Sequence, residues 1–340
     1  MATLNNAALA SMLQKRESGY IDVISRQIPL VDWLRKKGNY KTVAGGTQYE
    51  WNVFNYLDTN EPSFDGWDTL PNVASDDVDT AVASWKSYYK VIAINGTEQR
   101  LNNGERIFPL MEQKEDAALA SLRGQMSAHI YLDGTGNGSK RIVGLGAICS
   151  ATPTTGTLFG INRGTAGNEF WRNQRVDTNA VAFDYSDGIS NIRNGLEQLY
   201  IACGRQNQNK AQRYPDLGIC TENYRRYLSE VTDHKGSRYV SDDSGKRGVN
   251  IGFNEMKINN MTIVEDQDCP ADAGAGEQLF ALNSDCIGFR VIKSANFMTT
   301  PAMPLEAQDG FARRLIWCGA LVALNPCKLG VHEGISATQA

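Results

Sequence analysis

Histidine is scarce in this chain of 340 residues, whose three copies, His129, His234 and His332, are widely separated. None of them lies in an H-E-x-x-H motif, and the G-x-S-x-G nucleophile motif is absent. An enzyme of this length usually shows at least one such constellation. The sequence therefore predicts no catalytic residue, no cofactor-binding residue and no metal ligand, and it favours a protein that is not an enzyme.

A framework of paired cysteines is missing as well. The count of seven is odd and no C-x-x-C motif occurs, which argues against a zinc ribbon, a redox motif and a secreted disulfide scaffold. We expect all seven to be buried, reduced thiols of a cytoplasmic protein. They are Cys149, Cys203, Cys220, Cys269, Cys286, Cys318 and Cys327.

Long apolar runs and dense basic clusters are also absent. The longest apolar run, residues 315–324, is far shorter than the ~20 residues of a membrane-spanning helix and predicts a buried strand. The N-terminal segment lacks the apolar core of a signal peptide. The net charge of −4 is spread along the chain, so specific binding of duplex DNA is not expected.

One acidic cluster faintly suggests a calcium loop. Asp266, Asp268 and Asp272 depart from the EF-hand spacing, and Pro270 interrupts them. We expect a flexible acidic loop there and no metal site.

Glycine is concentrated in residues 142–174, IVGLGAICSATPTTGTLFGINRGTAGNEFWRNQ, which contain six copies. A P-loop needs a lysine that this stretch lacks, and Cys149 stands where the dinucleotide fingerprint needs its third glycine. We therefore interpret the stretch, which opens like a strand, as a connector of positive-φ turns and not as a ligand loop.

The N-terminal third lacks a core of its own. Residues 1–40 carry two helical patterns with narrow apolar faces, which must lie on the same subunit or on a neighbour. Residues 47–56 and 80–94 read as two long strands around a polar stretch. A hairpin of this kind is marginal alone in water, so we expect it to rest on a partner.

The clearest helix begins at Pro109 and ends at Asp133, and it carries an apolar stripe. Lys114 lies off this stripe, so we expect its substitution to be tolerated. The stripe consists of Leu119, Leu122, Met126 and Ile130. Two more helices are expected, one with Ile192 and Leu196 on its apolar face and one after an N-cap at Thr221. Strand-like segments are residues 215–220, 249–253, 261–264, 279–282, 287–291 and 315–324. Helices in mid-chain and strands in the last third predict an α+β fold.

In the order of these elements the chain resembles the major capsid proteins of tailed bacteriophages, which have the HK97-type shell fold. GGTQYEWNVFNYLDTNEPSFDGWDTL and ASWKSYYKVIAINGTE look like the E-loop and its return, and MEQKEDAALASLRGQMSAHIYLDG looks like the spine helix. PDLGICTENYRRYLSEV is similar to the axial strand and helix, and LFALNSDCIGF and LIWCGALVALNPCKLG resemble the returning strands.

The resemblance implies an HK97-like division of the chain into five segments. They are an N-terminal arm (1–43), an E-loop hairpin (44–96), a P-domain with spine helix and Gly-rich connector (97–182), an axial A-domain (183–276) and the returning strands of both domains (277–340). In such a fold the connector turns the chain into the A-domain, and Trp171 is expected to anchor that junction.

The implied function is self-assembly into hexamers, pentamers and an icosahedral shell around double-stranded phage DNA. The implied partners are other copies of the chain, a portal, a separate scaffolding protein and a decoration protein, with only non-specific DNA contact and no membrane. Assembly would take place in the host bacterial cytoplasm, and the product would be part of the virion. Some members crosslink through Lys–Asn bonds, but nothing ties Lys86 or Lys90 to a particular Asn, and we expect both to be solvated.

Two other functions stay open at this point. An encapsulin-like shell protein of a cellular nanocompartment can share this fold and encloses enzyme cargo. An enzyme with an unrecognised site is the third possibility.

Overall fold

The computed structural model describes residues 28–54, 63, 65–67, 78–101, 110–177, 188–205, 214–234, 256–271, 276–305 and 308–335. The helices within these residues are α1 (Pro29–Lys36), α2 (Gly96–Leu101), α3 (Leu110–Tyr131), α4 (Gly136–Ser139), α5 (Leu145–Ile148), α6 (Gly188–Arg205) and α7 (Glu222–His234). The strands are β1 (Tyr40–Val43), β2 (Gln48–Phe54), β3 (Val78–Ser84), β4 (Lys86–Asn95), β5 (Thr157–Leu158), β6 (Ile161–Asn162), β7 (Gln174–Asp177), β8 (Leu217–Cys220), β9 (Met256–Ile258), β10 (Met261–Glu265), β11 (Glu277–Leu282), β12 (Ile287–Ile292), β13 (Met298–Thr299), β14 (Met303–Pro304), β15 (Gly310–Ala323) and β16 (Gly330–Ile335).

The first of two six-stranded sheets is built around β15, which is 14 residues long. Strand β4 pairs with its first part, from Gly310 to Gly319, and β12 pairs with its last part, from Gly319 to Ala323. Strands β13 and β14 pair with β15 as well, and β1 adds a parallel strand beyond β12. The buried strand predicted for residues 315–324 is therefore confirmed as the end of a longer central strand.

The second sheet has the order β7-β16-β11-β8-β10-β9. Its central strands are buried on both faces, because each face covers a different core. Phe280 and Leu282 point to a large core shared with α1, α3 and the first sheet. Leu279 and Ala281 point to a smaller core under α6 and α7. The mixed helix and strand content confirms the α+β prediction.

Helix α3 packs across β4 and β15, as the apolar stripe predicts. Leu122, Met126 and Ile130 are at most 5% exposed. At the N-terminal end of α3, Glu115 accepts an ion-pair contact from Arg313 on β15 at 2.7 Å. The helix therefore lies on the first sheet and ends against the second, where Tyr131 stacks on Phe280.

Lys114 has two polar partners that its position off the stripe does not reveal, and its tolerance of substitution stays a prediction. Its ammonium lies 2.7 Å from a carboxylate oxygen of Glu98 and 3.3 Å from the carbonyl oxygen of Ala93. Helical phase places the residue off the stripe, but β4 and α2 come close enough to contact its long side chain.

The first described residues, 28–43, pack on their own subunit. Leu30 and Leu34 of α1 are fully buried in the large core, and β1 pairs with β12 from Tyr40 opposite Phe289 onwards. The sequence left open whether this segment lies on its own subunit or on a neighbour, and for residues 28–43 the structure confirms the first alternative. The first helical pattern lies outside the described residues.

Two strand predictions are wrong in detail. Residues 80–94 are not one strand, because β3 pairs with β2 while β4 pairs with β15, and the chain changes partner at Trp85. The connector does not open as a strand, because residues 145–148 form the short helix α5. The strand expected at residues 249–253 lies outside the described residues.

Both mid-chain helices are confirmed. Ile192 and Leu196 on α6 are buried in the smaller core, and the backbone N–H of Tyr224 donates to the hydroxyl of Thr221, its N-cap, at 3.3 Å. None of the helices among the described residues has the length and apolar character needed to cross a membrane.

Candidate functional site: the hairpin and its root

The β2–β3 hairpin is a two-stranded sheet of its own among the described residues. Its register runs from Gln48 opposite Ser84 to Phe54 opposite Val78. At the far end Phe54 is 57% and Val78 45% exposed. Since two strands alone are marginal in water, the hairpin depends on contacts at its root, and its far end presents apolar groups to solvent.

The two segments that lead into the hairpin meet at its root. Gly45 and Gly46 have φ values of 148° and 131°, which favour glycine. The indole N–H of Trp85, where the chain passes from β3 to β4, donates to the carbonyl oxygen of Gly46 at 3.0 Å. This bond closes the root between the entering and the leaving segment.

The connector contacts the hairpin through a strained turn. Phe159 and Gly160 form the two-residue loop between β5 and β6 with φ values of 52° and 89°, as in a type I′ turn. Left-handed backbone at a non-glycine residue costs on the order of 1–3 kcal/mol. The carbonyl oxygen of Phe159 accepts from the backbone N–H of Val82 at 2.8 Å, and its ring meets Trp51 edge-on with centroids 5.2 Å apart.

A buried arginine contacts the hairpin from the first sheet. Arg290 on β12 is 4% exposed, and its Nε donates to the hydroxyl of Tyr49 at 3.2 Å while Nη1 donates to the carbonyl oxygen of Asn39 at 3.1 Å. The rings of Trp51 and Trp85 lie 5.8 Å and 6.2 Å from that of Tyr49. Tyr49 is therefore enclosed by a cation and two indoles. The root of the hairpin therefore rests on its own subunit, and the expectation that the hairpin rests on a partner stays a prediction for its far end.

The first sheet presents an apolar face on the side away from α3. Residues directly opposite each other in antiparallel strands share a face, so Tyr89, Ile316 and Met298 form one row across β4, β15 and β13. Tyr89 is 69% and Met298 46% exposed, and Val91 and Met303 on the same face are exposed too. This face and the hairpin end carry most of the large exposed apolar side chains among the described residues.

The Gly-rich connector is built for close approach and turns. A Cβ at Gly144 would overlap the carbonyl oxygens of Ile130 and Leu132, so only glycine lets the chain pass the end of α3. Trp171 is 1% exposed and its indole N–H donates to the carbonyl oxygen of Leu158 at 3.0 Å. This bond holds two parts of the connector together, and the expected role of Trp171 at the junction with the A-domain stays a prediction.

Neither described histidine side chain belongs to a group with catalytic geometry. His129 lies 3.2 Å from the hydroxyl of Tyr88, and partial burial lowers its pKa. His332 is fully buried on β16, where its Nδ1 lies 2.6 Å from the hydroxyl of Tyr224. Burial lowers the pKa of His332 to about 4, so the ring is neutral at neutral pH. The side chain of His234 lies outside the described residues.

The acidic cluster is not the flexible loop that its composition suggests. Asp266 is buried, accepts a hydrogen bond from the hydroxyl of Tyr131 at 2.5 Å, and accepts another from the backbone N–H of Asp268 at 3.0 Å. Asp272 lies outside the described residues. No group of three or more His, Cys, Asp and Glu side chains that could hold a metal ion occurs in the described part of the chain.

All seven cysteines are buried and none forms a disulfide, which confirms the expectation of free, buried thiols. Burial raises the pKa of Cys149 and Cys220 to about 12, and that of Cys286 and Cys327 to about 11. These thiols are therefore protonated and unreactive at neutral pH.

Of the two lysines weighed for crosslinking, Lys86 is not simply solvated. Its ammonium donates to the carbonyl oxygen of Ser139 at 2.6 Å. Lys90 pairs through its backbone with Leu315. The bond from Lys86 ties the start of β4 to α4.

Sequence reasoning missed the root residues Arg290, Tyr49 and Phe159. An available signal was the arginine inside the apolar strand IGFRVI, because a charged side chain in a buried strand needs specific partners. No comparable signal marks Phe159, whose backbone conformation is visible only in the structure.

No protein-family model matches the chain, and no curated protein matches it in sequence. Solved structures do match it over its full length. A capsid of cyanophage A-1(L) aligns over 98% of this chain and 100% of its own with a TM-score of 0.65 and 15% identity. The encapsulin complex of Synechococcus elongatus aligns over 100% of this chain and 98% of its own, with a TM-score of 0.60 and 9% identity. A structure of Mycobacterium phage Bobi aligns over 98% of this chain and 99% of its own, with a TM-score of 0.55 and 11% identity.

The chain has the HK97-type shell fold. The alignments extend across nearly the whole of both chains in each comparison. The expected fold class is confirmed. At these identities the likeness shows the fold alone.

Proposed function

We propose that this protein is a major capsid protein that assembles into capsomers and an icosahedral shell around double-stranded phage DNA. The observation that carries the proposal is the full-length likeness to a cyanophage capsid, at a TM-score of 0.65. The matched chains of the cyanophage capsid and of the Mycobacterium phage structure both align with this chain over nearly their whole length. The protein acts by association and not by catalysis.

The exposed apolar groups support association with other copies. A hairpin end with Phe54 and Val78, and a sheet face with Tyr89 and Met298, leave apolar area in water that a neighbouring subunit covers in a shell. Each subunit uses different surfaces for different neighbours, and such heterologous contacts close when the rotations are compatible. The area buried per subunit reaches the obligate class, above ~2,000 Å².

The proposal includes the wider setting of such a protein. Within it, residues 1–43 are the arm, 44–96 the E-loop, 97–182 and 183–276 the P- and A-domains, and 277–340 the returning strands. The partners are a portal, a scaffolding protein and a decoration protein. The net charge of −4 fits a wall that holds packaged DNA only non-specifically. Shells form in the host bacterial cytoplasm and become part of the virion.

A second function is supported by one observation. The encapsulin complex matches this chain with a TM-score of 0.60, close to that of the cyanophage capsid. An encapsulin-like shell would enclose enzyme cargo and not a genome. The contents of native particles separate the two functions, because packaged DNA and a single protein cargo differ in ultraviolet absorbance and in mass spectra.

The test of the capsid proposal is assembly of the full chain. The protein is expressed with the genes that neighbour its own, and it is analysed by sedimentation velocity and negative-stain microscopy. Capsomer rings or closed shells are expected. A folded monomer that remains monomeric under these conditions would contradict both shell functions.

A further inference from the structure

We propose that Phe159 and Arg290 are positioning residues that clamp the root of the hairpin and fix its angle to the first sheet. The proposal rests on the assembly function, because the angle at which a hairpin leaves its subunit decides where it meets a neighbour. It goes beyond that function by naming the groups that set the geometry.

Phe159 contacts the hairpin from a segment that is distant from it along the chain. Phe159 lies in the connector, and it reaches both hairpin strands: its carbonyl oxygen accepts from Val82 on β3, and its ring packs against Trp51 on β2. Left-handed backbone at an aromatic residue persists only where its surroundings over-determine it, and such strain concentrates at functional positions. Here the strained turn presents both the carbonyl group and the ring to the hairpin.

The contact at Arg290 holds the hairpin from a second segment. Its guanidinium carbon lies 5.5 Å from the ring centre of Tyr49, and Nε donates to the hydroxyl of the same residue. Its remaining bonds go to the carbonyl oxygens of Asn39 and Phe289, and no carboxylate within the described ranges pairs with it. A guanidinium buried among neutral acceptors keeps its place only through these fixed contacts.

The contacts of Phe159 and Arg290 restrict the direction of the hairpin, which the backbone at the root does not fix. Gly45 and Gly46 can adopt many backbone conformations, and the pairing partner changes at Trp85, so neither connection by itself fixes the hairpin direction. Phe159 and Arg290 hold the hairpin from the connector and from β12. Loss of either contact should leave the subunit folded with a hairpin that samples several angles.

The test measures hairpin angle directly in the full chain. Spin labels are attached at Asn52→Cys on the hairpin and Gln125→Cys on α3, two exposed positions, while the seven buried native cysteines stay unlabelled. Distances are measured by pulsed electron spin resonance in unassembled protein, or in shells diluted with unlabelled chain. The variants are Phe159→Gly, which removes the ring but suits the left-handed turn, and Arg290→Lys, which cannot keep all three acceptors.

The matched control is Arg172→Lys, since Arg172 donates to the carbonyl oxygen of Arg163 inside the connector, away from the hairpin. The parent and the control should show one narrow distance peak, and both variants should lose it while retaining the parent's circular dichroism. An unchanged narrow peak in folded Phe159→Gly and Arg290→Lys would overturn the clamp. If Arg290→Lys fails to fold, Tyr49→Phe removes the hydroxyl that accepts from Arg290 and tests that contact. If Phe159→Gly fails to fold, Phe159→Asn, which also tolerates left-handed backbone, tests the loss of the ring.

Shell formation by the parent chain and by the variants distinguishes a failure of the clamp proposal from a failure of the proposed function. If the parent chain forms no shells, the capsid proposal fails whatever the distances show. If the parent forms uniform shells, the variants should yield particles of irregular size or curvature, and Arg172→Lys should yield uniform ones. Uniform shells from variants with a broadened peak would show that the clamp does not determine assembly geometry, and would overturn the inference.

Discussion

The hydroxyl of Tyr131, in the last turn of α3, donates to the buried carboxylate of Asp266 at 2.5 Å. One residue belongs to the long helix on the first sheet, and the other follows β10 of the second sheet. The same phenol ring stacks on Phe280 with centroids 6.3 Å apart. A single side chain therefore joins α3, which lies on the first sheet, to the second sheet through both a polar and an aromatic contact.

Tyr131→Phe should destabilise the subunit by about 1–3 kcal/mol, because it leaves a buried carboxylate oxygen without this donor while keeping the ring. The measurement is urea unfolding of unassembled protein. Tyr89→Phe is the control, since Tyr89 is 69% exposed, and it should change the free energy of unfolding by no more than ~0.5 kcal/mol. Equal effects of the two changes would contradict a specific role for the Tyr131–Asp266 bond.

Leu122→Asp should prevent folding. Leu122 is 1% exposed in the middle of the α3 stripe. Removal of a large core side chain costs ~2–5 kcal/mol and burial of an unpaired polar group adds ~1–3 kcal/mol, against a total stability of ~5–15 kcal/mol. Gln125→Asp on the exposed side of α3 is the control, and it should remain soluble. Soluble yield and circular dichroism are compared for the two variants. Normal folding of Leu122→Asp would refute the orientation of α3.

Sequence alone predicted the elements well and their partners less well. The α3 stripe and the strand at residues 315–324 were readable because burial imposes a period or a continuous apolar run. The break at Trp85 was not, because residues 80–94 contain no glycine or proline to mark it, and only the pairing of β3 with β2 and of β4 with β15 reveals it. The contacts of Lys114 and Phe159 depend on tertiary approach, which local spacing does not encode.

Acidification should destabilise the subunit through His332. Its pKa falls from 6.5 to about 4 on folding because burial disfavours the charged ring, so the unfolded chain binds more protons between these values. Stability is therefore full above pH ~6.5 and falls towards pH ~4, by roughly 3 kcal/mol in total for this group. His332→Asn, which can retain a partner for Tyr224, should show a smaller loss when unfolding is measured at both pH values. An identical pH dependence in the variant would contradict this assignment.

The native thiols should resist alkylation. All seven cysteines are buried, and their thiolate forms are scarce at neutral pH where burial raises the pKa to about 11 or 12, as at Cys149 and Cys327. Iodoacetamide at neutral pH should label none of them in folded protein and all seven after unfolding without reductant, as counted by intact-mass spectrometry. Disulfide-linked peptides from freshly purified protein would contradict the free-thiol state.

Removal of the chain between the hairpin strands should separate folding from assembly. Phe54 and Val78 are opposite each other, so an Asn-Gly pair in place of residues 55–77 can close the hairpin as a two-residue turn. The root contacts of Tyr49 and Phe159 are untouched, so the thermal midpoint should stay close to that of the parent. If the far end of the hairpin reaches a neighbouring subunit, microscopy should show folded protein without shells. Normal shells from the shortened chain would remove the hairpin end from the assembly contacts and leave the apolar face of the first sheet to account for them.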